Sequence, residues 1–265
     1  MMKIVFITGD HLRHRYMSQS LSDNSHEIYR VFQKREDIIP QSSGDMDKNL
    51  EDIFKSHFTK RQKAEWDFFN KAKDFKGNKN FSIISKDFNN GKLLKILSKI
   101  QPDIILSYGC NILSEKILKL ARINTWNIHG GLSPWYRGTA THFWPSYFLE
   151  PQFTGITLHA TSMKIDGGDI FHQTAIDPQK QDGIHEHACR NVKFFADQLN
   201  QIILKLISIG SISGISQETH GKLWTNSMWK PSHLKVIYEL FDDEVNKYCI
   251  ENNLVGRKPK LISLI

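Results

Sequence analysis

Apolar positions along this chain form short continuous runs that alternate with longer stretches of helical spacing. The runs are rich in β-branched residues, which predicts buried strands at residues 3–8, 26–32, 81–85 and 103–109. The longer stretches predict helices at residues 45–76, 91–100 and 114–121. Strands and helices that alternate in this way form a mostly parallel sheet with helices on both faces. The first half of the chain therefore predicts a doubly wound α/β fold.

The middle of the chain extends this sheet and then changes character. A strand, TWNIHG (125–130), ends at a Gly-Gly break, and a helix is predicted at 141–149. Two strands at 154–161 and 169–176 are expected to pair across the sequence DGGD.

The last part of the chain holds one long helix and a short remainder. Apolar residues at helical spacing predict a helix from 184 to 209, closed by Gly210. We assign residues 1–210 to one catalytic domain, and residues 211–265, with a predicted helix at 233–249, to a small C-terminal extension.

Two polar side chains stand at the end of the TWNIHG strand. Asn127 and His129 are separated by one residue, and alternate side chains of a strand point to the same face. An amide N–H and an imidazolium N–H can both donate to an oxygen that becomes negative, which is how enzymes stabilise an oxyanion. A purely structural role for His129 is the alternative, because many buried histidines simply satisfy hydrogen bonds.

A carboxylate is needed to orient such an imidazole and to receive or relay a proton. Asp166 in KIDGGD is the best candidate, because the glycines after it let backbone and ligand approach closely. The same sequence is also a common signal for a tight turn between two strands. Spacing alone leaves both interpretations open.

Composition restricts the partner and the compartment. The 265 residues include 35 Lys and Arg against 28 Asp and Glu, a net charge of +7. This favours an anionic partner, either a phosphate-bearing molecule or nucleic acid, although a solvated basic surface is the alternative. Cys110, Cys189 and Cys249 are sparse and form no Cys-x-x-Cys pair, which favours a reducing, cytoplasmic location over a disulfide scaffold or zinc site. No apolar run suits a membrane span or a signal peptide.

Other catalytic motifs are missing from the sequence. It contains no Gly-x-Ser-x-Gly elbow of a serine hydrolase, and neither a Walker sequence nor a Gly-x-Gly-x-x-Gly nucleotide fingerprint. His185 and His187 are two residues apart on a predicted helix and therefore diverge, so we expect no metal site there.

Two motifs together resemble the formyltransferases that use 10-formyltetrahydrofolate. NIHGGLSPWYRG is similar to that family's Asn-Ile-His-Pro-Ser-Leu-Leu-Pro-x-Tyr-x-Gly, and GITLHATSMKIDGGDI is similar to its Gly-x-Thr-x-His…Asp-x-Gly-x-Ile. The likeness runs from about residue 103 to 176, with a weaker Rossmann-like match upstream, and it departs from the family at Gly130-Gly131, where Pro-Ser is usual. It implies a Rossmann-like formyltransferase fold and formyl transfer through an oxyanion-stabilised tetrahedral intermediate.

The resemblance also implies roles for individual residues. Asn127, His129 and Asp166 would be catalytic, with His129 protonated and held in that state by Asp166. The cosubstrate would be 10-formyltetrahydrofolate, with no metal. Two segments, GCNILS (109–114) and MKID (163–166), are implied to line its pocket. Asn111, Ile112 and Leu113 would bind it through backbone groups, with Ile165 opposite and His159 at the edge of the site.

Members of this family differ in the amine that they formylate: glycinamide ribonucleotide, initiator methionyl-tRNA or nucleotide-linked amino sugars. The tRNA enzyme carries a C-terminal β-barrel domain, for which residues 211–265 are too few. The glycinamide enzyme has a Gly-rich phosphate loop where this chain has the basic GDHLRHRY. At a strand's carboxyl end, such a loop suits a diphosphate, with an exposed solvated turn as the alternative. The residues concerned are His11, Arg13, His14 and Arg15.

We therefore expect a sugar-nucleotide N-formyltransferase, as found in bacterial surface-polysaccharide (lipopolysaccharide O-antigen) pathways, with no nucleic-acid or membrane partner. Trp224 and Trp229 could supply a base-stacking surface or a homodimer surface. Formylation of another amine and a catalytically silent Rossmann-like binding module stay open as alternatives.

Overall fold

The computed structural model of the protein describes residues 1–21, 26–34, 46–73, 79–89, 91–210, 213–217 and 221–264. Its strands are β1 (Lys3–Gly9), β2 (Glu27–Lys34), β3 (Asn80–Ile84), β4 (Ile104–Tyr108), β5 (Asn124–His129), β6 (Tyr136–Gly138), β7 (Gly155–Ala160), β8 (Ile170–Ala175) and β9 (Lys222–Trp224). Seven of them form the central sheet in the order β3-β2-β1-β4-β5-β7-β8, and β6 pairs with β9.

The first five strands of the central sheet run parallel, and β7 and β8 are antiparallel additions at one edge. The side chains of β1 alternate between two cores: Val5 and Ile7 pack on one face, and Ile4 and Phe6 on the other. Burial on both faces explains why the parallel strands read as continuous apolar runs. The predicted mostly parallel α/β sheet is confirmed.

Helices cover both faces of this sheet. They are α1 (Leu12–Gln19), α2 (Lys48–Phe69), α3 (Lys92–Ile100), α4 (Glu115–Leu118), α5 (Trp144–Tyr147), α6 (Ile184–Ile209) and α7 (Val245–Glu251). Leu93 and Leu97 of α3 pack on the Val5 face, whereas Phe195 and Leu199 of α6 pack on the Phe6 face. None of the helices in the described ranges is long and apolar enough to cross a membrane.

Three predicted helices are shorter than expected. The prediction at 45–76 corresponds to α2 and a following 3-10 turn, with residues 45 and 74–76 outside the described part. Asp47 begins α2 by accepting the backbone N–H of Leu50 at 2.8 Å. The predictions at 114–121 and 141–149 shrink to the single turns α4 and α5.

The basic segment after β1 is not the loop that we expected. Residues 12–19 form helix α1, although few of them are apolar. The helix buries His14 and Met17, and the carboxyl half of the segment therefore lies against the protein. A helix whose buried face includes a histidine has no clear apolar periodicity, which is why the pattern missed it.

The residues after α6 pack against the rest of the chain through a second apolar cluster. The indole of Trp224 stacks on that of Trp144 with ring centroids 4.1 Å apart, and Trp224 is 6% exposed. The ring of Trp229 lies 6.1 Å from that of Phe143 and 6.4 Å from that of Phe54. Both tryptophans are thus used for packing within the chain, and the expected base-stacking or homodimer surface stays a prediction.

The single helix predicted at 233–249 is wrong. The chain turns at Asp242 and Asp243, which have positive φ angles of 48° and 62°, and α7 begins only afterwards. The break lets Asp243 accept the backbone N–H of Ile184 at 3.2 Å, at the start of α6. A carboxylate there offsets the unsatisfied N–H groups and the positive end of the helix dipole.

We predict that Trp224→Ala lowers the free energy of unfolding by about 3–5 kcal/mol, because it empties a stacked, buried site. The matched control is Trp66→Ala on α2, whose side chain is 48% exposed and should cost about 1 kcal/mol or less. Urea unfolding followed by circular dichroism measures both. If both variants lose a similarly small part of the free energy of unfolding, the second apolar cluster does not stabilise the protein as proposed.

Candidate active site

Three neighbouring strands place polar side chains in one row across the sheet. Ser107 of β4 lies beside Asn127 of β5, which in turn lies opposite His159 of β7. His129, two residues beyond Asn127, points to the same face. The pairing register alone therefore assembles the floor of a polar site.

The amide of Asn127 has a defined orientation. Its Oδ1 accepts a hydrogen bond from Ser107 Oγ at 2.7 Å, so its Nδ2 faces the other way. There Nδ2 lies 3.4 Å from Oδ1 of Asp166 and 3.1 Å from Nε2 of His159. The N–H donor that the sequence predicted is thus aimed at the carboxylate.

Asp166 reaches the row by folding back over it. Strand β7 is antiparallel to β5 and ends beside Thr125, near the beginning of β5. The connection to β8 must therefore turn back to bring Asp166 near Asn127 and His129. Asp166 then turns with φ of 45° and places Oδ2 2.9 Å from the backbone N of Gly138, which donates to it. A side chain on Gly168 would collide with the carbonyl of Ala160, which explains the second glycine of DGGD.

His129 is buried, and each of its ring nitrogens lies close to an oxygen atom. Nε2 donates to the carbonyl of Tyr136 at 2.9 Å, and Nδ1 lies 3.3 Å from Oδ2 of Asp166. Burial lowers the pKa of His129, and the charge of Asp166 opposes this without reversing it. The net shift favours the neutral ring over the imidazolium that we expected, and the Tyr136 carbonyl then accepts the Nε2 proton.

Asp166 is the charged member of the site. Burial would raise its pKa, but His129, then His159 and the Gly138 N–H, outweigh burial and bring the pKa of Asp166 down to about 2. The carboxylate is thus ionised at every physiological pH. It can stabilise a cation that forms beside it.

His159 is more central than the resemblance implied. Its Nδ1 donates to the carbonyl of Ala160 at 2.8 Å, which leaves Nε2 as an acceptor for Asn127. The same Nε2 lies 3.5 Å from Oδ1 of Asp166. His159 therefore lies against two of the three predicted catalytic residues (Asn127, His129 and Asp166, the trio), not at the edge of the site.

The implied folate-binding residues have mixed environments. The backbone N–H of Asn111 donates to Gln33 Oε1 at 2.8 Å, and the carbonyl of Ile112 accepts from Asn89 Nδ2 at 3.2 Å. The Leu113 side chain is buried in the core, whereas Ile112 is 73% and Ile165 44% exposed. The two isoleucines offer apolar surface, while two of the expected backbone groups already have protein partners.

The basic residues of the first segment have partners within the chain. Arg13 forms an ion pair with Glu65 of α2, and Arg15 one with Asp10 at 2.5 Å. The ring of His14 packs edge-on against Tyr108, with centroids 5.0 Å apart. His11 directly precedes α1 and lies 5.3 Å from His14. The alternative of an exposed solvated turn does not describe these half-buried or buried residues, and phosphate binding by them stays a prediction.

Sequence reasoning missed the groups that hold the trio in place. Ser107 could have been found, because it lies two residues before the end of a predicted strand. The Tyr136 carbonyl and the Gly138 N–H could not, because backbone groups have no signature in the sequence. Within the described part of the chain, no three His, Cys, Asp or Glu residues gather closely enough to hold a metal ion.

Comparison with known proteins identifies the family. Residues 2–195 match the family described as formyl transferase, and the chain belongs to this family, which confirms the resemblance seen in the two motifs. A stretch of 124 residues is 38% identical to the bifunctional polymyxin resistance protein ArnA of Wigglesworthia glossinidia brevipalpis. That stretch is 45% of this chain and 19% of the longer protein.

Two solved structures share the fold at low sequence identity. The formyltransferase PseJ from Anoxybacillus kamchatkensis, in complex with UDP-4,6-dideoxy-4-formamido-L-AltNAc and tetrahydrofolate, is 19% identical with a TM-score of 0.53. The match covers 92% of this chain and 96% of that one. Phosphoribosylglycinamide formyltransferase from Anaplasma phagocytophilum is also 19% identical, with a TM-score of 0.56 over 84% of this chain and 97% of that one.

We predict that nitrogen-15 NMR of the His129 ring shows Nε2 protonated at neutral pH and Nδ1 gaining its proton only below the usual histidine pKa of 6.5. Asp166→Asn should lower this midpoint further, because it removes the nearby charge that raises it. Asp169→Asn, three residues away and outside the cluster, is the control and should leave the midpoint unchanged. A doubly protonated ring at neutral pH would contradict the assignment.

Proposed function

We propose that this protein transfers the formyl group of 10-formyltetrahydrofolate to the primary amine of a nucleotide-linked amino-deoxy sugar. The observation that supports this is the convergence of Asn127 and His129 on one carboxylate. Nδ2 of Asn127 is 3.4 Å from Oδ1 of Asp166, and Nδ1 of His129 is 3.3 Å from Oδ2. Acyl transfer to an amine needs both a donor for the developing oxyanion and a group that takes up a proton.

The chain's own residues divide these tasks. 10-Formyltetrahydrofolate supplies the one-carbon unit, and the acceptor amine attacks its carbonyl carbon. Asn127, oriented by Ser107, donates from Nδ2 to the formyl oxygen as negative charge develops there, in place of its 3.4 Å contact with Asp166. His129 takes the amine's proton at Nδ1, because its Nε2 is engaged at the Tyr136 carbonyl. Asp166 stabilises the resulting imidazolium, which returns the proton to the departing nitrogen of tetrahydrofolate.

The fit of a folate rests on apolar surface in the two segments that the resemblance implied. Ile112 is 73%, Met163 78% and Ile165 44% exposed, which is unusual for such large apolar side chains. A flat heteroaromatic ring is held by apolar contacts together with a few polar groups. The contribution of segment 111–113 would fall to the Ile112 side chain, because Leu113 is buried in the core.

The choice of a sugar nucleotide is supported by the net charge of +7 and by the basic segment at the carboxyl end of β1. Arg15 is the residue best placed to bind phosphate. Its side chain is 24% exposed, and its partner Asp10 is equally exposed, so a phosphate can compete with that carboxylate. Arg13, in contrast, is tied to Glu65, which is 7% exposed.

We predict that purified protein releases tetrahydrofolate when 10-formyltetrahydrofolate is supplied with an amino-sugar nucleotide, and that the sugar gains one formyl group in mass spectrometry. Asn127→Ala should lower kcat about 100- to 1,000-fold, because it removes an oxyanion donor. Asn124→Ala, at the other end of β5, is the matched control. Release with glycinamide ribonucleotide or methionyl-tRNA alone would refute the sugar assignment, and no release with any acceptor would favour a silent module.

We predict that Arg15→Gln raises the KM for the sugar nucleotide about tenfold with little change in kcat, since one charge-assisted phosphate contact is lost. Arg122→Gln is the control, because that arginine pairs with Asp103 just before β4, at the opposite end of the sheet. Steady-state kinetics decide the point. If the KM for the sugar nucleotide is unchanged in Arg15→Gln, Arg15 does not bind its phosphate.

A further inference from the structure

The connection between β7 and β8 carries Asp166 in a left-handed backbone conformation, with φ of 45°. Residues other than glycine adopt this conformation only when their surroundings hold them in it. Within the connection itself, Gly167 N donates to the Lys164 carbonyl at 3.2 Å. Neither residue of this hydrogen bond is Asp166, so contacts from outside the connection can help to hold Asp166 in place.

One side chain from beyond α6 makes two of these contacts. Nε2 of Gln217 donates to the carbonyl of Asp166 at 2.9 Å and to the carbonyl of Gly168 at 2.7 Å. The two hydrogens of one amide nitrogen match two carbonyls of the same turn. Ser133 Oγ adds a weaker contact to the Asp166 carbonyl at 3.2 Å.

The segment that carries Gln217 is itself fixed to the sheet. Ile215 and Ile170 exchange two backbone hydrogen bonds of 2.8 Å, which join the segment to the first residue of β8. Gly214 lies so close to Asp169 that an added Cβ would come within 2.7 Å of the Asp169 Cβ. Gln217 is thus delivered to the Asp166 turn by a short, well-anchored stretch.

We infer that Gln217 is a positioning residue for Asp166: it holds the turn so that the carboxylate meets His129 and Asn127. Gln217 does not touch the reacting groups and acts only through the backbone of Asp166. The residue lies outside the stretch that matches the family, residues 2–195, so this support belongs to the part of the chain that the family match does not describe. The inference rests on the proposed function for its effect on turnover, but not for its effect on His129.

The test compares Gln217→Met, which keeps the length of the side chain but removes the donors, with Gln198→Met. Gln198 is a half-buried residue of α6 whose amide donates to the Phe194 carbonyl at 2.8 Å. We expect Gln217→Met to lower kcat roughly 10- to 100-fold, since small misplacements of catalytic groups have effects of this size. KM should change little, and the control should behave as the wild type.

The His129 ring supplies a second readout that does not require activity. In Gln217→Met, the protonation midpoint of Nδ1 should move in the same direction as in Asp166→Asn. The double variant should lower kcat no more than Asp166→Asn alone does. Gln217→Glu is read in the same way if the methionine variant does not fold. An unchanged His129 midpoint in folded protein overturns the inference, whether or not kcat falls. If the wild type is inactive but Gln217→Met still shifts the His129 midpoint, the proposed function is refuted and the positioning role of Gln217 is not.

Discussion

One largely buried carboxylate, that of Asp166, determines the arrangement of the site. Taking Asp166 out of water disfavours its charged form, and the protein offsets this with an N–H from Gly138 and, when they are protonated, with His129 and His159 on either side. Each of these partners comes from a different part of the chain. The site therefore exists only when β5, β6 and β7 are all in place around that one charge, and Asn127 gains its target from the same arrangement.

In the proposed mechanism, His129 both takes up a proton and returns it. Burial favours the neutral form of His129, so Nδ1 can accept a proton, and the adjacent charge of Asp166 limits the cost of holding it. The Tyr136 carbonyl occupies Nε2 and selects the tautomer. Proton uptake and its return can then take place at a single nitrogen, which needs no movement of the ring.

The sequence predicted the parts of the molecule that depend on periodicity. Continuous apolar runs located the parallel strands, and the two-residue spacing of Asn127 and His129 placed both on one face. Contacts between distant segments were not predictable: Gly138 holds Asp166 through its backbone, and Ser107 orients Asn127 only because two strands pair in register. Helix α1 was missed because its buried face includes His14, and the helix at 233–249 was overpredicted because Asp243 leaves it to cap α6.

The pairing of β6 with β9 has a consequence for building chimaeras of this enzyme family. One side of β6 supplies the Tyr136 and Gly138 groups that hold His129 and Asp166, while its other side meets β9 so closely that Gly138 has no room for a side chain beside the Trp224 carbonyl. Gly221 is equally crowded by the Pro134 carbonyl. The C-terminal part is therefore not a detachable module, and a graft from a relative would have to bring its own version of residues 134–138 with it.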